Sequence, residues 1–186
     1  MEQKNKTNVR EMALIALMAA VTCIMGPLSI PIGVVPISLT NLAVYLAIYV
    51  LGCKRGTMSY CVYLLIGLVG IPVFSGFTGG VGKLFGPTGG YLIGFIFMAL
   101  ICGWLIDKSA CKLLPSFIGM VLGTVVCYAF GTAWLAYQGG MSFYAAMAAG
   151  VLPFIPGDLA KMVVAAIVGP QLRRRLAQAG IVQNGK

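Results

Sequence analysis

Apolar residues in this chain run in long uninterrupted blocks, and charges mark their ends. The uncharged stretches are Met12–Cys53, Gly56–Gly82, Leu84–Ile106, Leu113–Gly157 and Met162–Leu172. Most of these runs are long enough to cross a hydrocarbon layer, which takes ~20 apolar residues in a helix. The first and fourth are too long for a single helix. Pro27, Pro31 and Pro36 divide the first; Gly139, Gly140, Pro153 and Pro156 divide the fourth. Six segments result, at approximately 9–26, 37–53, 56–71, 88–107, 114–137 and 153–173. The second and third are short for a full crossing, so they are expected to be tilted or partly re-entrant. The expectation is an all-α integral membrane protein of six transmembrane helices, a single domain over 1–186.

Composition agrees with that pattern. The 186 residues are 60% hydrophobic and 9% charged, whereas soluble domains carry about 25% charged residues. The net charge of +9 is not a nucleic-acid signal, because the basic residues lie at span ends rather than on one soluble face. The chain has no histidine, which removes a His-dependent triad, a His metal site and a His proton shuttle. No metal and no cofactor are expected. The six cysteines form no C-x-x-C pair and read as small buried hydrophobes. The polar start, MEQKNKTNVREMAL, lacks a cleavable A-x-A pattern and reads as mature sequence.

Charge placement predicts orientation. With six spans, Lys4, Lys6, Arg10, Lys54, Arg55, Lys108, Lys112, Arg173, Arg174, Arg175 and Lys186 fall on one side, and only Lys83 falls in an opposite loop. Basic residues mark the cytoplasmic side, so both termini are expected inside. Segments 27–37, 72–88 and 138–152 then face outward. In the first helix Ala16 and Ala20 stand four apart, a small-xxx-small spacing that lets another helix approach closely. The face either docks a partner or packs internally.

The candidate chemistry is concentrated in two places. Asp158 and Lys161 are the only charges between Lys112 and Arg173. An ionisable group at the centre of a membrane helix costs at least ~2.5–3.5 kcal/mol. Their i, i+3 spacing puts both on one helix face. They form either a polar anchor for a substrate or an ion pair that locks two helices. The second place is the segment IPVFSGFTGGVGKLFGPTGGY at 71–91, where glycines including Gly79 and Gly80 alternate with Phe74, Phe77, Phe85 and Tyr91. Exposed amides and rings suit a weakly polar organic molecule with an apolar body. This is not a nucleotide-binding loop, since Leu84 follows Gly82-Lys83. Ser38, Thr40 and Asn41 open the second segment; capping accounts for one of them, and the Asn41 amide is available to a ligand.

The segments VPISLTNLAVYLA, GLVGIPVFSGFTGGVGKLFGPTGGYLIGF and PFIPGDLAK together resemble the BioY family, the biotin-specific substrate-binding (S) components of energy-coupling factor (ECF) transporters. The similarity spans nearly the whole chain. It implies a six-helix protein that captures biotin from outside and is not itself an enzyme. Turnover would fall to a transmembrane coupling subunit and two cytoplasmic ATPase subunits, with Ala16 and Ala20 matching the docking contact. The expected setting is the lipid bilayer of a bacterial cytoplasmic membrane. The expected binding set is Asp158, Lys161, Asn41, Gly79, Gly80, Lys83, Phe74, Phe85 and Tyr91. Asp158 suits the ureido N–H groups; Lys161, Lys83 or loop amides suit the carboxylate. The sequence leaves open which end of biotin Lys161 meets. The competing reading is a stand-alone secondary carrier for a small organic anion, with Asp158 as its proton site.

Overall fold

Prolines and glycines end the apolar runs, and the helices start and stop around them. The computed structural model describes residues 2–31 and 35–182, with side chains from Val9 onward. The side chains of Lys4 and Lys6, and Lys186, named in the charge argument, lie outside the described residues. The described elements are α1 (Glu2–Met25), β1 (Ser29–Ile30), β2 (Ile37–Ser38), α2 (Thr40–Leu51), α3 (Cys53–Leu68), α4 (Val81–Leu84), α5 (Gly89–Lys108), α6 (Leu113–Gly139), α7 (Phe143–Gly150) and α8 (Ile155–Gln178). Three of these helices, α5, α6 and α8, are long and apolar enough to cross a membrane, and α2 is a shorter apolar helix.

Three local features add regular structure to the segments between the long helices. The proline-rich stretch forms an antiparallel pair, with Ser29 opposite Ser38 and Ile30 opposite Ile37. Pro31 and Pro36 favour extended backbone there. The segment after α6 carries a short helix, α7, whose first turn is capped by Ser142 accepting from the Ala145 N–H at 3.3 Å. The glycine-rich segment contains the single turn α4.

The short helices α2 and α3 have 12 and 16 residues, about 18 and 24 Å at ~1.5 Å per residue. They are separate because Gly52 has φ 81, a left-handed conformation that glycine adopts without strain. Asp107 stabilises the break by accepting from the Cys53 N–H at 2.7 Å. The helices α5 and α6 cross closely through glycines. A Cβ on Gly94 would lie 3.0 Å from the Cys127 backbone, and one on Gly123 would lie 2.9 Å from the Met98 carbonyl oxygen. Small residues permit this approach where water supplies no hydrophobic drive between helices.

The core holds fully buried Tyr45, Tyr49, Tyr60, Tyr63 and Phe74. Several of the tyrosine hydroxyls tie elements together. Tyr60 donates to the Leu92 carbonyl at 2.8 Å, Tyr63 to Val73 at 3.1 Å and Tyr91 to Gly150 at 2.9 Å. Away from the glycine-rich segment, charged groups cluster at one end of the bundle. Glu11 of α1 pairs with Arg55 of α3, Arg173 of α8 pairs with Asp107 of α5 at 3.6 Å, and Arg10 donates to the Gly180 carbonyl.

Candidate functional site

At the other end of the bundle, the N-terminal turns of α2, α5 and α8 converge under the β1–β2 pair and the glycine-rich segment. They enclose a pocket of about 710 Å³, including open solvent at its mouth. Asn41, Phe74, Lys83, Tyr91, Asp158 and Lys161 all line it. Residues more than a hundred positions apart in the chain thus meet in one cavity.

Asp158 lies in the first turn of α8, where the helix dipole favours negative charge. It is 7% exposed. Lys161, on the same face, donates to Asp158 Oδ1 at 3.0 Å and to the Ser38 carbonyl of β2 at 2.6 Å. The charged pair therefore also fastens α8 to the strand pair. Tyr128 of α6 donates to Asp158 Oδ2 at 2.6 Å. A carboxylate has about four lone-pair sites and an ammonium three donors. After these bonds, Asp158 keeps acceptor capacity and Lys161 one N–H for a solute.

Asn41 is buried, and its Oδ1 accepts from the Leu42 N–H at 3.1 Å, which leaves its NH₂ group for the pocket. The Ser38 hydroxyl donates to Thr40 Oγ1 at 2.9 Å and accepts from the Thr40 N–H at 3.4 Å. That accounts for the hydroxyls at this helix start. Lys83, half-buried on α4, faces no carboxylate among the described residues. Burial lowers its pKa from the usual lysine value.

The remaining wall is apolar and tightly seated. Phe74 packs edge-on to Tyr63 at 5.6 Å, over Gly67, where an added Cβ would come within 2.1 Å of the ring. Tyr91 rests on Gly131 and Gly150 in the same way, at 2.2 and 2.1 Å. Gly79, Gly80 and Phe85 are not on the pocket wall. Gly79 packs against the backbone of Ile71, at 2.4 Å from an added Cβ, and Gly80 has φ 92 and donates to the Gly67 carbonyl at 2.7 Å. Phe85 is 61% exposed. The segment that carries them is held to α6 by Trp134, which donates to the Gly86 carbonyl at 2.9 Å.

Tyr128 is one pocket-wall residue that the sequence reading missed. It lies in a run of small and apolar residues with no charge nearby in the chain. A tyrosine inside a membrane span, away from the interface where tyrosine is common, was the available signal. Ala16 and Ala20 both lie on an exposed face of α1 and make no part of the pocket wall.

An apolar helical bundle with a charged pocket at its end defines a multi-pass membrane protein with a candidate small-molecule site. Known proteins resolve the class further. The BioY family model matches residues 1–178, and the chain belongs to the BioY family. It is 37% identical over 171 residues to the biotin transporter BioY2 of Lactococcus lactis, covering 92% of this chain and 94% of that protein. It is 40% identical over 164 residues to the probable biotin transporter BioY of Pyrococcus horikoshii, covering 88% and 96%. A crystal structure of the S-component for biotin from an ECF-type ABC transporter superposes with a TM-score of 0.85 at 32% identity, covering 91% of this chain and 94% of that one.

Proposed function

We propose that this protein captures biotin and carries it into the cell as the substrate-specificity subunit of an ATP-driven ECF transporter. The observation that supports this reading is the buried Asp158–Lys161 pair opening onto a pocket that also holds Lys83. Asp158 neutralises Lys161 at 3.0 Å, so the pocket's charge surplus rests on Lys83. A solute with one carboxylate complements that surplus. The ureido N–H groups of biotin meet Asp158, and the ureido oxygen meets Lys161 or the Asn41 amide. In this reading the carboxylate meets Lys83 rather than Lys161. Phe74 and Tyr91 flank the apolar bicycle. Gly79, Gly80 and Phe85 shape the segment that closes over it.

In this reading six segments cross a bacterial cytoplasmic membrane, with α2 and α3 as the short pair. The charged end lies inside and the pocket outside. Energy comes from a transmembrane coupling subunit and two cytoplasmic ATPases. The exposed Ala16–Ala20 face of α1 is the docking surface for the coupling subunit. The direct test is to purify the protein, denature it and identify the released molecule, then to titrate the emptied protein with biotin and biotin amide. Release of biotin and tight rebinding are expected. A different organic anion, or uptake that persists without ATP, would favour a stand-alone carrier.

A further inference from the structure

Asp158 is gripped from two helices. Lys161, one turn along α8, holds Oδ1, while Tyr128 reaches across from α6 to hold Oδ2. One bond to a flexible lysine leaves the carboxylate free to turn about its last torsion, which is broad for aspartate. A second bond from another helix fixes the plane.

The surroundings make this second bond necessary. A separate, largely apolar groove of about 920 Å³ runs between α6, α7 and α8, and Thr124, Tyr128 and Asp158 line both it and the solute pocket. These three residues form the partition between the two cavities. On the groove side the other neighbours apart from Thr132 are apolar, including the exposed Val125, Ile155 and Leu159. None of these side chains can donate to a carboxylate. Thr124 is otherwise engaged, since its hydroxyl donates to the Met120 carbonyl at 2.8 Å and meets the Tyr45 hydroxyl at 2.5 Å. Oδ2 therefore has one protein donor among the described residues, the Tyr128 hydroxyl. A phenol suits the place because its ring fills the partition while its oxygen reaches the far helix.

We infer that Tyr128 is a positioning residue for the ligand: its hydroxyl turns the Asp158 carboxylate so that the remaining lone pairs face into the pocket. This rests on the proposed role of Asp158 as acceptor for the ureido N–H groups.

The test is a double-mutant cycle read by calorimetric titration with biotin, using wild type, Tyr128→Phe, Asp158→Ala and the double variant in detergent. Loss of one charge-assisted bond predicts that Y128F weakens biotin about tenfold. In the Asp158→Ala background the same change should cost nothing, because the carboxylate it orients is gone. Unfolding temperatures measured alongside report folding separately. Unchanged affinity in Y128F would overturn the inference, as would an equal loss in both backgrounds. Coupling seen in the unfolding temperature alone would also overturn it and leave Tyr128 as scaffold. If Asp158→Ala binds biotin as tightly as wild type, the assignment of Asp158 itself fails, and the role of Tyr128 fails with it.

Discussion

Asp158 and Lys161 are costly residues to bury in an apolar bundle, and their geometry limits the cost. Each has a counter-charge at 3.0 Å and a further hydrogen bond. Breaking one half of such a pair costs about 3–5 kcal/mol of stability, so substitutions must be read by ligand comparison rather than by loss alone. Asp158→Asn, which keeps one acceptor, should weaken biotin by about ten- to a hundredfold, or roughly 1.5–3 kcal/mol. Lys161→Ala should weaken biotin and biotin amide equally, because its charge is already answered by Asp158. Lys83→Ala should weaken biotin far more than the amide. Titration of each variant with both ligands decides this, and the reverse pattern would return the carboxylate to Lys161. Lys83 also predicts a pH dependence. Only its ammonium form holds a carboxylate, and burial lowers its pKa. Its share of the affinity is complete below that lowered pKa and is lost as pH rises through it. Lys83→Arg, always charged, should keep the affinity at alkaline pH.

Between elements, glycine decides what can approach what. Gly94 lets α6 lie against α5 with the Cys127 backbone 3.0 Å from the place a Cβ would take. Gly67 lets Phe74 lie on α3 and so places an aromatic ring at the pocket. Gly67→Leu should therefore displace Phe74 and weaken biotin, while α5 and α6 remain packed. Gly94→Leu should separate α5 from α6 and lower the unfolding temperature of the whole protein. Equal effects of the two changes on unfolding would refute this division between site and scaffold. The α1 face follows the opposite logic, because Ala16 and Ala20 are exposed and nothing among the described residues covers them. Replacing Ala16 and Ala20 with Trp should abolish ATP-driven uptake and copurification with the coupling subunit, yet leave biotin binding intact. Loss of binding as well would mean that the face packs within the protein.

Across the whole molecule, charge and pocket separate to opposite ends. Arg10, Glu11, Arg55, Asp107 and Arg173 are drawn together through ion pairs and carbonyl contacts at one end, while Lys83 and Lys161 line the cavity at the other. The asymmetry predicts one orientation in the membrane. Single cysteines placed in a cysteine-free background at positions 78 and 108 should differ in intact cells. An impermeant thiol reagent should label position 78 and spare position 108. The reverse pattern would invert the protein and detach the pocket from the outer face.

Much of this was legible in one dimension, for a physical reason. Hydrocarbon leaves no water to satisfy a backbone, so uncharged runs must become helices, and the runs ending near Lys108, Lys112 and Arg173 do so as α5, α6 and α8. The i, i+3 spacing of Asp158 and Lys161 is local helix geometry, and it brought their side chains to one face. The glycine-rich segment announced a close approach of backbone, although Gly79 and Gly80 approach Ile71 and Gly67 rather than the cavity. What no spacing records is which helix faces which. Tyr128 reaches Asp158 from thirty positions away, and Lys161 reaches Ser38 across 123, because helix crossings set by small residues bring them together. The placing of Lys83 in the same cavity as the Asp158–Lys161 pair is likewise a product of packing. The sequence determined the helices and the chemistry available to the site; the tertiary structure decided which groups spend their hydrogen bonds on each other and which remain for a ligand.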